Sequence, residues 1–225
     1  MSPAQKRSRQ ELSPRFSVPF DGEGGVLDYP ALFGNSNPVT VEIGFGAGLA
    51  TAEIAQANPG QNYLGLEVYP PGIGRLLREI GERGLANIRI VEHDAVETLE
   101  KMIGDGSVAA FHIFFPDPWP KKRHHKRRLV TRPFTDLLAR KLERGGYVYM
   151  VTDWEDYALW AMAELSATPL LFNPSAGGSG DFAGDSAGGF APPQTWRPQT
   201  RFEAKGLARR RRVRELFFKK IQGEP

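Results

Sequence analysis

The chain has 225 residues, 29 Lys and Arg against 26 Asp and Glu, four His and no Cys. That length fits one α/β domain with appendages. The lack of cysteine excludes disulfides and thiolate metal sites, no apolar run reaches the roughly 20 residues of a membrane helix, and the polar, basic start lacks the apolar stretch of a signal peptide. These exclusions predict a soluble cytoplasmic protein without a metal.

Charge is unevenly spread. Residues 29–111 hold ten acids and five bases, residues 119–144 hold ten bases and two acids, and residues 205–220 hold eight bases and one acid. With the basic start (Lys6, Arg7, Arg9, Arg15), this segregation suggests a polyanion held over one face.

Residues 1–37, rich in Pro, Ser, Gly and Arg, read as a basic and largely irregular arm. The remainder, 38–225, reads as a single domain. A β-branched run over 39–44 predicts a buried strand. It ends in Gly44-Phe45-Gly46-Ala47-Gly48, and a helix follows over 49–57. Strand, glycine turn and helix form a nucleotide-binding βα unit. The spacing is GxGxG, with Glu42 leading into the turn. A dinucleotide turn prefers GxGxxG and receives a pyrophosphate; an acid here suits a ligand carrying a positive group, such as the ammonium of S-adenosylmethionine.

A second strand over 62–68 carries Glu67 near its end, at a distance from Gly44 where an acid accepts ribose hydroxyls. A helix is predicted over 72–83, a third strand over 87–91, and Asp94 at that strand's exit. A short helix follows over 96–102. Each acid alone reads as a helix cap or turn residue. Three at successive strand exits, beside one glycine turn, read as a ligand site on the sheet's C-terminal edge. His93 reads as structural.

The fourth strand, 108–115, is nearly all apolar and so central. It stops at Pro116-Asp117-Pro118-Trp119-Pro120, followed by Lys121-Lys122-Arg123-His124-His125-Lys126-Arg127-Arg128. Proline fixes φ and removes a donor, so this reads as a rigid loop presenting one carboxylate and one indole beside dense positive charge. Trp119 has two readings, stacking on an extruded base or packing against its own loop. A helix over 132–142, a strand over 147–151 ending in Thr152-Asp153, and a helix over 154–165 continue the alternation. A sixth strand is read over 169–172. Residues 174–193, with Asp181, Phe182, Asp185 and Phe190, read as a flexible Gly-rich loop. Residues 199–206 read as a polar turn, 209–212 as an arginine run, and 213–221 as a last strand. The order predicts a doubly wound, mostly parallel, seven-stranded sheet.

Glu42-Ile43-Gly44-Phe45-Gly46, Gly65-Leu66-Glu67-Val68, Asp94-Ala95, the 116–124 stretch, Thr152-Asp153 and Thr200-Arg201-Phe202-Glu203 occur in this order. Together they resemble the bacterial tRNA (guanine-N7)-methyltransferase family, from about residue 39 to 206. The resemblance implies a Rossmann-like class I methyltransferase fold, S-adenosylmethionine as cofactor, and tRNA as partner. The acceptor it implies is N7 of a guanine at position 46 in the variable loop. It further implies that Glu42, Gly44, Gly46, Glu67, Asp94 and Asp117 bind the cofactor and that Asp117 is catalytic. Lys121, Asp153, Thr200, Arg201, Phe202 and Glu203 would bind substrate, and Arg123, His124, His125, Lys126, Arg127 and Arg128 the RNA. The protomer would work as a monomer or homodimer. The chain departs from the family in a longer Gly-rich stretch and in the arginine run after Gly206. Competing readings are a methyltransferase acting on another RNA or on a small molecule, a dinucleotide-dependent oxidoreductase, which the glycine spacing disfavours, and a non-catalytic RNA-binding module.

Overall fold

A computed structural model describes residues 1–176 and 188–222, without the side chains of Arg201, Phe202 and Lys205. Asp181, Phe182 and Asp185 of the Gly-rich stretch lie outside the described residues. The chain divides into two compact units, Met1–Val108 with Trp196–Pro198, and Ala109–Thr195 with Gln199–Pro225.

In the first unit, β1 (Ser17–Val18), β2 (Val39–Ile43), β3 (Asn62–Leu66) and β4 (Ile88–Val91) line up in the order β1-β4-β3-β2. Every pair is parallel, with Glu42 opposite Gly65 and Leu66 opposite Val91. All residues of β2 and β3 are buried, the unbroken pattern of parallel strands covered on both faces. Helices α3 (Leu49–Ala57), α4 (Pro70–Arg83) and α5 (Ala95–Met102) alternate with these strands. Ile73, Leu76, Leu77 and Ile80 form the buried stripe of α4, as their spacing predicts.

The arm expected to be irregular holds α1 (Pro3–Phe16) and α2 (Tyr29–Phe33). Ser2 and Gln5 close a capping box at the start of α1. This helix lacks an apolar stripe, so periodicity does not reveal it. Instead it lies against glycines of α4. A Cβ at Gly74 would sit 3.2 Å from Gln5, and one at Gly81 3.0 Å from Leu12. Gln5 Nε2 donates to the Pro71 carbonyl at 3.3 Å, and Arg9 pairs with Glu92. Part of the basic N-terminal charge is therefore spent inside the fold.

In the second unit, β5 (Val108–Phe114), β6 (Leu142–Thr152), β7 (Leu171–Phe172) and β8 (Arg214–Lys220) take the order β5-β6-β8-β7. β8 runs antiparallel to both its neighbours, with Tyr149 opposite Phe217 and Thr152 opposite Arg214. Helices α6 (Arg132–Lys141), α7 (Glu155–Ser166) and α8 (Arg201–Ala208) and a 3-10 helix, Lys122–Arg127, complete the unit. The fold is α/β and Rossmann-like as expected, with eight strands among the described residues instead of seven; the addition is the two-residue β1.

Residues 199–206, expected as a polar turn, lead into α8. Thr200 Oγ1 accepts from the Glu203 amide at 3.1 Å, and Glu203 returns a carboxylate to the Thr200 amide at 3.4 Å. This Thr-x-x-Glu capping box is legible as a helix start, and the polarity of the segment masked it.

Candidate functional site

The first unit carries the glycine turn and its acids. Gly44, Gly46 and Gly48 have φ of 72°, 57° and 69°, a left-handed region open to glycine at little cost. A Cβ at Gly44 or Gly46 would meet nothing within 4 Å, so the turn's outer face is open. Its other side is tightly covered: a Cβ at Gly72 would lie 1.9 Å from the Gly46 carbonyl oxygen. Any side chain at position 72 would push α4 off the turn.

Glu42, on β2, is 2 % exposed, and its Oε2 has no hydrogen-bond partner among the described residues. Burial raises its pKa to about 7, and the neighbouring Glu67 charge adds to the rise. Thr51 opposes it from close by, although its own hydroxyl also lacks hydrogen-bonding geometry to a partner. A buried carboxylate in this state lacks a cation. Glu67 is differently placed: it accepts from the Gly46 amide at 2.7 Å, the Val68 amide at 2.7 Å and the Tyr69 amide at 3.0 Å. Three of about four acceptor positions are thus filled, and Glu67 ties the turn to the end of β3. Val68 and Tyr69 beside it are exposed at 64 % and 58 %, an apolar wall. Asp94 caps α5 through Oδ1, accepting from Val96 and Glu97 amides at 2.8 and 3.1 Å, and is exposed. A buried carboxylate without a partner beside an exposed apolar wall fits a ligand with one cationic group and an apolar body.

The second unit carries the Asp117 loop. Phe115 and Trp119 adopt left-handed φ of 52° and 44°, costly for non-glycine residues, on either side of an exposed Asp117. Strain of this kind costs on the order of 1–3 kcal/mol per residue and persists only where the surroundings impose it. Here they do. Phe115 N–H donates to the Val151 carbonyl at 2.8 Å, and Arg128 Nε to the Pro118 carbonyl at 3.0 Å. The Arg128 side chain is fully buried, pairs with Asp156, and lies 5.1 Å over Tyr157 and 5.2 Å over Trp160. Trp119 lies under Arg127 at 5.0 Å and edge-on to His124 at 5.9 Å. Both contacts are to residues of the basic 3-10 helix that follows the loop.

Asp153, at the exit of β6, is held by Arg211 Nη1 at 3.0 Å, and that guanidinium stacks 4.7 Å over Trp154. Helix α8 approaches so closely that a Cβ at Gly206 would lie 2.6 Å from Asp153 Oδ2.

A family profile described as "Putative methyltransferase" matches residues 36–216. A protein of Nitrosospira multiformis named tRNA (guanine-N(7)-)-methyltransferase is 44 % identical over 223 residues, covering 99 % of this chain and 91 % of its own. One of Bordetella parapertussis with the same name is 47 % identical over 216 residues, covering 96 % and 80 %. The chain belongs to the tRNA (guanine-N7)-methyltransferase family. Among solved structures, 16S rRNA methyltransferase KamB superposes with a TM-score of 0.57 at 13 % identity, covering 87 % of this chain and 94 % of that one. An antibiotic-related methyltransferase gives 0.52 at 16 %, covering 88 % and 97 %. Both likenesses show the methyltransferase fold.

In this family member, Glu42, Gly44, Gly46 and Glu67 come together in the first unit, with Asp94 as a helix cap. Asp117 and Asp153 sit on strand exits of the second. Lys121, Arg123, Lys126 and Arg127 are exposed on or beside the 3-10 helix, and His124 and His125 are half-buried. Arg128 departs from its expected role as an RNA contact, because a fully buried guanidinium cannot reach a phosphate. Thr200 and Glu203 close the capping box of α8. Arg201 and Phe202 lie on its first turn. Sequence reasoning missed Gly72, Gly206 and Arg211, whose roles depend on contacts between segments far apart in the chain. Among the described residues, no His, Cys, Asp or Glu group could hold a metal, and no helix is long and apolar enough to cross a membrane.

Proposed function

We propose that the protein transfers the methyl group of S-adenosylmethionine to N7 of a guanine in tRNA, at position 46 of the variable loop. The observation that carries this reading is the strained Asp117 loop, one exposed carboxylate followed at once by a basic 3-10 helix. S-adenosylmethionine, when bound, supplies an electrophilic methyl group on a sulfonium. Glu42, short of a cation, would take its ammonium. Val68 and Tyr69 would cover its adenosine, with Glu67 and Asp94 as polar partners.

Guanine N7 carries an in-plane lone pair and no proton, so the acceptor needs no general base. Asp117 instead accepts hydrogen bonds from the guanine N1–H and amino group. This fixes the ring and favours the positive charge that spreads over it. A preformed loop places that carboxylate without reorganisation. Lys121, Arg123, Lys126 and Arg127 supply phosphate contacts, whose contribution falls with salt.

The test incubates the protein with labelled cofactor and unmodified tRNA, then cleaves with borohydride and aniline at 7-methylguanine. A single cut in the variable loop is expected. Incorporation without a cut assigns another acceptor atom, and a cut elsewhere another position. Tight RNA binding without incorporation favours a non-catalytic module. Asp117→Ala is expected to lose turnover while cofactor binding, read by calorimetry, stays near that of the parent.

A further inference from the structure

Beside Asp153 lies a cleft of about 550 Å³ lined by Asp153, Trp154, Glu155, Asp156 and by Arg210, Arg211, Arg212 and Arg214. Its charges can be accounted for one by one. Asp153 pairs with Arg211 at 3.0 Å, Glu155 with Arg214 at 3.1 Å, and Asp156 with the buried Arg128. Every carboxylate of the lining is therefore neutralised by an arginine of the fold. Of the four arginines of the lining, Arg211 and Arg214 are held in these pairs and Arg212 is engaged as well; Arg210 remains, and Arg209 adjoins it. Both are exposed and, among the described residues, neither holds a carboxylate.

The backbone around them is fixed. Arg209 and Arg211 amides both donate to the Gly206 carbonyl, at 2.9 and 3.0 Å, and the Arg210 amide donates to Leu207 at 2.8 Å. Arg210 itself has φ 57°, a conformation that glycine would adopt at lower cost. These backbone hydrogen bonds form a Schellman cap on α8, whose left-handed position is usually glycine; here it is an arginine, exposed at an open cleft on a turn held by its neighbours' ion pairs.

We propose that the 209–210 turn is a second, preorganised binding site for phosphodiester groups of tRNA, separate from the 3-10 helix that follows Asp117. Arg211 and Arg214 hold the turn, and Arg209 and Arg210 meet the phosphates. The site rests on the reading of tRNA as substrate but makes a different prediction from it. Because phosphate recognition carries no base information, it adds affinity and leaves the chemical step alone.

The variant Arg209→Ala/Arg210→Gly removes both charges, and its glycine relieves the left-handed residue, so the fold is retained. Equilibrium binding of unmodified tRNA is measured from about 50 to 300 mM salt. The slope of log K against log salt is expected to shrink by roughly 0.9 for each phosphate no longer neutralised, up to about 1.8. KM for tRNA rises while kcat holds within about twofold. Arg209→Lys/Arg210→Lys keeps the slope. A charge-matched control, Lys101→Ala/Lys219→Ala, is expected to keep it too. A double variant with the parent's slope, or a control whose slope falls as far, overturns the site. If the parent transfers no methyl group to tRNA yet the slope still falls in the variant, the methylation reading fails and the site stands.

Discussion

Arg128 shows why a residue type in a basic run does not settle its role. Its neighbours Arg127 and Lys126 are exposed, yet Arg128 is turned inward to the Pro118 carbonyl, to Asp156, and over two aromatic rings. A planar guanidinium can serve all of these at once, and a lysine ammonium cannot. Asp156 is 64 % exposed, so it can be resolvated when its partner goes, and the cost of removing Arg128 is mainly weakened packing and loop order. For Arg128→Lys, turnover should fall with little change in the salt slope of tRNA binding, because the Asp117 loop loosens while the phosphate contacts remain. Lys126→Ala should show the reverse, a slope smaller by roughly 0.9 and an unchanged kcat. A reduced slope in Arg128→Lys would return that residue to the RNA-contacting set. In the sequence this run is a uniform block; only burial separates the arginine that holds the loop from those that face solvent.

Among the elements, α8 carries a residue pair with two competing roles. The family resemblance makes Thr200 and Glu203 substrate-binding residues, and the structure uses both to cap the helix. The helix in turn matters to Asp153, because Gly206 and Arg211 bring it against that carboxylate. A cap contributes on the order of 1 kcal/mol, which Asn provides as well as Thr. If capping is the role, Thr200→Asn should keep methyl transfer within a few-fold and Thr200→Ala should lower stability by about 1 kcal/mol, read by urea denaturation. If the hydroxyl contacts substrate, Thr200→Asn should lose activity at full stability. A second substitution addresses the approach of the helix itself. Gly206→Ala would drive a methyl to 2.6 Å from Asp153 Oδ2 and should raise KM for tRNA as that carboxylate is displaced. The capping box was legible in the sequence. The glycine's purpose was not, since it is set by a residue 53 positions earlier, 206 against 153.

Over the whole molecule, buried strands announced themselves as apolar or β-branched runs, and β2, β3 and β4 lie where those runs predict strands and pair in parallel. What stayed hidden packs without an apolar stripe: α1 on the glycines of α4, and the two-residue β1. The same burial that made the strands legible also leaves two titrating groups of opposite kind inside the protein. Glu42 is raised from 4.5 to about 7 by burial, and His112 is lowered from 6.5 to about 3, also by burial. Between about pH 4.5 and 6.5 the folded state holds a proton on Glu42 that the unfolded chain has released, so this group makes stability fall as pH rises. Over the same range the unfolded chain protonates His112 and the folded state does not, so His112 makes stability fall as pH drops. The two slopes oppose each other at about 1.4 kcal/mol per pH unit each. Glu42→Gln removes one of them. Relative to the parent, the variant should gain stability with each step from pH 4.5 toward 7, by about 3 kcal/mol in total, and the difference should be flat above 7. Urea denaturation of both proteins across that range isolates the effect, because every other titrating group cancels in the difference. Parallel stability curves would mean that Glu42 ionises in the folded ligand-free protein as easily as in the unfolded chain. The unpartnered carboxylate would then lose its claim to be the group that awaits a cation.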